Sequence, residues 1–182
     1  MSSRIARFAL SGYRIAGIAA YPFAKPYLSY RAAKGKEDKR RRLERFGYAS
    51  AERPRGPLVW FHAASVGEPL ALIPLIREIR KRDIFVLLTT GTVTSAELTR
   101  TRLGDDVIHQ YVPLDIKIAV NRFLTYWAPD AAITAESEIW PVTMMELERR
   151  HIPQILVNAR LSDRSFDRWN NRHDIAESLF SK

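Results

Sequence analysis

The sequence predicts an α/β protein: a parallel sheet with helices on both faces, preceded by N-terminal helices. Three observations carry that expectation. Five short β-rich runs recur almost evenly: "PLVWF" from Pro57, "IFVLLTT" from Ile84, "VIHQYV" from Val107, "AAITA" from Ala131 and "QILVN" from Gln154, with starts 27, 23, 24 and 23 residues apart. Helical patterns fill the gaps: "PLALIPLIREIRKR", "TSAELTRTRL", "IKIAVNRFLTYW" and "EIWPVTMMELERRH". Strands alternating with helices at this interval make βα units, which close into a parallel sheet. Third, hydroxyls, carboxylates and arginines gather at the strand-to-helix junctions, while the opposite turns, "RKRD" and "RRHIP", are plain polar connections. The expected division is residues 1–47 as a leader and basic linker, and 48–182 as the α/β body.

The leader comes first in chain order. In "SRIARFALSGYRIAGIAAYPFA", Arg4, Arg7, Ser11 and Arg14 are spaced three, four and three apart, one polar stripe on a helix, while Ile5, Phe8, Ala9, Ile15, Ala16 and Ala19 face elsewhere. The apolar run is short for a membrane span and contains Arg14. The expectation is an in-plane interfacial helix whose arginines meet phosphates and whose Phe8 enters the apolar layer. A helix packed on the protein's own body is the plain alternative. Pro22 and Pro26 are expected to end this helix. A second, very basic helix is expected over "RAAKGKEDKRRRLERFG", closing at Gly47. Its "KRRR" reads either as a solvated charge run or as an attraction for anionic head groups.

The body follows. Open parallel sheets bind ligands beyond the carboxyl ends of their strands, so the junctions are the places to look: "HAASVGE", "TTGTVTSAE", "PLD", "ESEIWP" and "NARLSDRS". Glu68 falls near a helix start, where the dipole keeps a carboxylate ionised and able to take a proton from an attacking hydroxyl. The same spacing also makes a capping box of Ser65 and Glu68. At the second junction, Gly91 allows close backbone approach, and Thr92 or Thr94 opens a helix whose free N–H groups suit a phosphate. Ordinary capping by Thr94 with Glu97 is the alternative there. Glu136 and Glu138, two apart after the fourth run, could join Glu68 in an acidic cleft for sugar hydroxyls, or could simply favour a helix N-terminus. Trp140 is a sugar platform or core. Ser65 lacks the Gly-x-Ser-x-Gly elbow, the four histidines lack metal-ligand spacing, and no dinucleotide fingerprint or P-loop follows any strand.

Composition bounds the reading. Of 182 residues, 46% are hydrophobic and 27% charged, which describes an ordinary globular chain. There is no cysteine, so disulfides, thiolate catalysis and cysteine-bound zinc are excluded. The net charge of +9 lies wholly in residues 1–47, with 12 basic and 3 acidic side chains; the rest carries 17 of each. A neutral body with no aromatic residues interleaved in the basic run argues against nucleic acid. A basic, partly apolar leader points to an anionic membrane surface.

"FHAASVGE", "TTGTVTSAE", "HQYVPLD", "ESEIWP" and "VNARLSDRSF", in this order and after "RRRLERFG", closely resemble the N-terminal half of the 3-deoxy-D-manno-octulosonic acid (Kdo) transferases of lipopolysaccharide synthesis. The resemblance implies a Rossmann-like acceptor domain of a two-domain GT-B glycosyltransferase at the cytoplasmic face of the inner membrane. It implies transfer from CMP-Kdo to a lipid A precursor, inverting and without metal or other cofactor. Glu68 matches the family's catalytic base in "SVGE". Its second acidic motif, usually Glu-Thr-Glu-Leu-Trp-Pro, stands here as "ESEIWP" with Ser137 and Ile139. On the acceptor side the candidates are Ser65, Gly67, Gly91, Thr92, Thr94, Glu136, Glu138 and Arg160. Family members carry a donor domain after this half, so the 182 residues alone are expected to be inactive. A non-catalytic, membrane-bound lipid-binding fragment is the rival.

Overall fold

The structure is a computed structural model that describes residues 4–64, 67–135 and 139–159, together with positions 167, 170 and 177. Five parallel strands form one sheet: β1 Leu58–Ala63, β2 Phe85–Thr90, β3 Ile108–Tyr111, β4 Ala131–Ala135 and β5 Gln154–Val157, in the order β3-β2-β1-β4-β5. Every expected run is a strand, and each begins within one residue of its expected start. Helices α2 Gly67–Arg80, α3 Val93–Leu103, α4 Lys117–Trp127 and α5 Pro141–Arg149 make the crossovers. The arrangement is Rossmann-like, as expected.

The faces follow from the period-2 alternation of strands. Leu58, Trp60, Leu87 and Ala132 point to one side and pack with Val120, Phe123, Leu124 and Trp127 of α4 and Val142 and Leu147 of α5. Phe61, Ala63, Val86, Leu88 and Ala135 point to the other and meet Leu72 and Ile76 of α2 and Leu103 of α3. Strands buried on both faces must be apolar nearly throughout, which is why these runs stand out in the sequence. Each fully buried large side chain among them, such as Phe61, Phe123 or Trp127, contributes about 1.5–3 kcal/mol relative to exposure.

The N-terminal region departs from expectation. A single helix, α1, runs from Arg4 to Ala33 straight through Pro22 and Pro26. Both prolines are exposed, so the carbonyls that lose their amide partners can be hydrated. On the opposite side Leu10, Ala24, Leu28 and Ala32 are buried against the body, and that packing outweighs a local penalty of about 3 kcal/mol per proline. The second basic helix is absent. The chain turns at Gly35 (φ 70°) and forms only a 3₁₀ turn, Arg42–Phe46, closed as expected by Gly47 at φ 81°. A Cβ at Gly47 would overlap the carbonyl oxygen of Ala119, so glycine is required for the turn to lie on α4.

The acidic and basic residues of this stretch explain its shape. Glu44 binds the guanidinium of Arg41 at 2.7 and 3.0 Å and accepts from the Tyr111 amide at 2.6 Å. Arg41 also donates to the His109 carbonyl at 2.8 Å. β3 is the outer strand on its side of the sheet, and these two side chains satisfy backbone groups at an edge left open by pairing.

Candidate active site

All five strands are parallel and in register at one end: Ala63 lies beside Thr90, Thr90 beside Tyr111, and Ala135 beside Val157. The expected junctions therefore share one rim. The strand order reverses between β1 and β4, which pair directly from Val59–Ala131 to His62–Thr134. The connections leaving these two neighbours flank the crevice where such sheets take ligands. One leads from Ala63 into α2, the other from Ala135 into α5.

Helix α2 begins at Gly67, so Glu68 stands in its first turn, as the dipole argument requires. Ser65, Glu136, Glu138 and Arg160, and the side chain of Glu68, lie outside the described residues. Topology thus sends the segments bearing Glu68 and Glu136–Glu138 from adjacent strands. Trp140 is half-buried at the N-cap of α5, and its indole Nε1 has no hydrogen-bond partner among the described residues.

At the second junction the capping residue is Thr92, not Thr94. Thr92 is extended at φ −132°, and its Oγ1 accepts from the Ser95 amide at 3.1 Å. Glu97, the other half of the expected box, instead pairs with Arg100 at 2.6 Å on the surface. Capping falls to Thr92 because β2 ends at Thr90 and the helix is already formed at Val93. Gly91 has an internal neighbour: an added Cβ would stand 3.1 Å from the Ala64 carbonyl oxygen. Glycine here lets the β2–α3 connection press against the β1–α2 connection. Of the three candidates, Thr94 is the exposed one.

Three residues that shape this rim, Arg45, His109 and Asp115, have roles that the sequence did not show. Arg45, 7% exposed, was counted in the basic leader. Its guanidinium instead binds Glu37, the Val112 carbonyl at 3.1 Å and the Gly91 carbonyl at 2.6 Å, tying the connections after β2 and β3 together. His109 sits between Thr90 Oγ1, at 2.9 Å from Nε2, and Arg41, at 3.0 Å from Nδ1. Arginine can only donate, so Nδ1 accepts and Nε2–H donates to Thr90. Burial, then the charges of Arg41 and Arg45, push its pKa down to about 3. Asp115 of "PLD" is only 8% exposed; its carboxylate accepts from the Val142 amide at 3.0 Å, from the Thr143 amide at 2.8 Å and hydroxyl at 2.7 Å, and from Tyr13 Oη at 3.1 Å. It caps α5 from outside that helix. Short-range capping rules hold no signal for a partner 27 residues away.

His62 is 3% exposed, with Nδ1 3.0 Å from Thr89 Oγ1, beneath the rim among core residues. Among the described residues no cluster of three His, Asp or Glu is placed to hold a metal ion.

Helix α1 presents two apolar faces. One is buried, as above. The other leaves Phe8 79%, Ile15 67%, Phe23 72% and Tyr30 57% exposed. Arg14 is half-buried, on the side of the helix that carries Leu10 and Ala32; the side chains of Arg4 and Arg7 lie outside the described residues. Among the described residues no helix is long and apolar enough to cross a membrane. A cavity of about 350 Å³ opens between α1 and the 3₁₀ turn, lined by Tyr21, Leu28, Leu43 and Phe46, with Lys25 and Arg42 beside them.

The model of the 3-deoxy-D-manno-octulosonic-acid transferase family matches residues 40–182. A protein of Arabidopsis thaliana named as a probable mitochondrial 3-deoxy-D-manno-octulosonic acid transferase is 42% identical over 161 residues, 87% of this chain and 36% of its own length. Two proteins named 3-deoxy-D-manno-octulosonic acid transferase are similar as well. That of Rickettsia bellii is 41% identical over 76% of this chain and 33% of its own length; that of Haemophilus influenzae is 33% identical over 88% and 38%. The chain spans about a third of the length of these curated relatives.

Proposed function

The chain belongs to the 3-deoxy-D-manno-octulosonic acid (Kdo) transferase family, and from that premise we propose that it forms the acceptor side of a glycosyltransferase that moves Kdo from CMP-Kdo to a lipid A precursor. Glu68 is the general base. It takes the proton of the acceptor's 6′-hydroxyl as that oxygen attacks the anomeric carbon and CMP leaves, so configuration inverts and no metal is needed. The observation that supports this reading is the reversal of strand order between β1 and β4, because the chain leaves these neighbouring strands, toward α2 and toward α5, at the same end of the sheet. Thr94, with Thr92 and Gly91 framing it, and Ser65, Gly67, Glu136, Glu138 and Arg160 are the acceptor-side contacts for its sugar or phosphate. The donor binds mainly to the part of the enzyme that corresponds to the remaining length of the relatives.

The acceptor is an acylated, phosphorylated lipid, so the site must work at a membrane. The outward face of α1, with Phe8, Ile15 and Phe23 exposed, lies in the plane of the cytoplasmic face of the inner membrane, and Arg4, Arg7 and Arg14 meet anionic head groups. The cavity beside Lys25 and Arg42 supports the same reading, being apolar inside with cations at hand.

Substituting Glu68→Gln in the full-length enzyme separates catalysis from capping. Glutamine suits the third position of a capping box but cannot take the proton, and a general base is typically worth about 10²–10⁴-fold in rate. Steady-state kinetics are expected to show kcat reduced by at least about a hundredfold, with acceptor KM little changed and a thermal melt shifted by no more than roughly 0.5 kcal/mol of stability. Near-normal turnover of the folded variant removes Glu68 from the mechanism.

A further inference from the structure

We propose that Asp115 is a positioning residue for the acidic segment 136–140, and that α1, through Tyr13, is part of the frame that holds it. The inference rests on the proposed role of that segment in the reaction. An α-helix leaves its first amides without intrahelical partners. α5 has no capping side chain of its own at Trp140. The amides of Val142 and Thr143, in its first turn, donate instead to the two oxygens of Asp115, at 3.0 and 2.8 Å. The Thr143 hydroxyl adds a third bond at 2.7 Å and Tyr13 Oη a fourth at 3.1 Å. A single carboxylate, 8% exposed, thereby joins the connection after β3, the start of α5 and the middle of α1. It also opposes the positive end of the α5 dipole.

The acidic segment has two ends. One is fixed by β4, whose last residue, Ala135, pairs with Val157. The other is fixed where α5 begins at Pro141, and Asp115 holds that end. Asp115 itself is anchored on both sides: Ile116, next to it, lies 3.7 Å from where a Cβ on Gly17 of α1 would stand, and the amide of Leu114, before it, donates to the Arg45 carbonyl at 2.8 Å. Burial, with the Asp115 charge and hydrogen bond, raises the Tyr13 hydroxyl pKa, so Tyr13 remains a proton donor to the carboxylate at all working pH values. Through this bond α1 is linked by Asp115 to the start of α5, in addition to any part it plays at a membrane.

Hydrogen exchange read at the Val142 and Thr143 amides tests the device on the 182-residue chain. First-turn amides are ordinarily unprotected, so protection there reports the Asp115 bonds directly. Asp115→Ala is expected to speed exchange of both amides roughly tenfold, the equivalent of a lost cap. Asp115→Asn keeps one accepting oxygen and is expected to have a smaller effect; Tyr13→Phe keeps three of the four bonds and is expected to have the smallest, in the same direction. In the full-length enzyme, Asp115→Asn is expected to lower kcat roughly tenfold per folded molecule, with acceptor KM within about threefold, as misorientation of a bound acceptor toward its base does. A merely structural residue would lower the melting temperature and the yield of folded protein while leaving kcat per folded molecule intact. Unchanged exchange in Asp115→Ala, or faster exchange with unchanged kcat, overturns the proposal; unchanged exchange in Tyr13→Phe overturns the part played by α1. Full kcat and unchanged acceptor KM in both Glu136→Gln and Glu138→Gln would refute the acceptor-side role of the segment and would leave the exchange results standing, so the two failures are told apart.

Discussion

Helix α1 and the turn that follows it invert the usual rule of burial. On α1, Phe8, Ile15 and Phe23 are between 67% and 79% exposed, whereas in the next thirteen residues Glu37, Glu44 and Arg45 are 6%, 1% and 7% exposed. Both stretches sit in the same basic leader, and by composition both could be assigned to a membrane surface. The structure separates them. Four charges of the turn are used inside the protein, where Arg41 and Arg45 pair with Glu44 and Glu37 and bind the His109 and Gly91 carbonyls. The apolar groups of α1 face outward. Composition counts how many charges and apolar groups a segment has; only their partners decide what they do.

The largest expected effect breaks the buried half of that comparison. Arg45→Ala leaves Glu37 with Arg31 at 3.4 Å as its remaining ion-pair partner and strips the donor from the Gly91 and Val112 carbonyls. Removing one member of a buried pair costs about 3–5 kcal/mol, to be read from denaturant unfolding. If Arg45 were a surface charge for head groups, the same change would be worth no more than about 0.5 kcal/mol.

The exposed half is broken by Arg4→Glu, Arg7→Glu and Arg14→Glu together. Each basic residue near an anionic surface is worth about 1 kcal/mol, so affinity for vesicles containing anionic lipid should drop at least roughly a hundredfold. Sedimentation with those vesicles is the measurement, and unchanged binding would sink the in-plane reading. Replacing Phe8, Ile15 and Phe23 with serine sharpens it: binding should fall again, while the melt stays close to that of the parent because these side chains are already exposed.

A smaller effect reports on the link between the turn and the sheet. His109, neutral in the fold with its pKa near 3, would titrate near 6.5 when unfolded. The unfolded chain therefore binds the extra proton first. The stability this residue contributes is complete above pH 6.5 and declines as pH falls toward 3, at up to about 1.4 kcal/mol per pH unit. Melts at pH 7 and pH 5 should differ more for the parent than for His109→Gln, which keeps a donor and an acceptor but cannot charge. Equal slopes would place His109 outside the buried network.

Much of this protein was written locally. β1, β2 and β4 are short apolar runs because both faces of the sheet are covered over them, and α4 repeats its apolar residues at helical spacing, so "PLVWF", "AAITA" and "IKIAVNRFLTYW" are readable within their own few residues. The gathering of polar residues at one set of junctions was readable too, since parallel strands connected by helices must bring those junctions to one end. The sequence by itself therefore determined the strands and helices of the body, the parallel sheet and the end of it at which the strand-to-helix junctions lie. Tertiary structure decided the rest. Pro22 and Pro26 remain inside α1 because burial on its far side outweighs their local cost. Thr92 rather than Thr94 caps α3 because the end of β2 sets where that helix can begin. Arg41, Arg45 and Asp115 took on internal roles because their partners lie 27 to 102 residues away. A charge in isolation belongs in water; Glu44 and Glu37 stand within eight residues of Arg41 and Arg45, but the backbone groups that complete these sites come from other parts of the chain, and only the fold brings them.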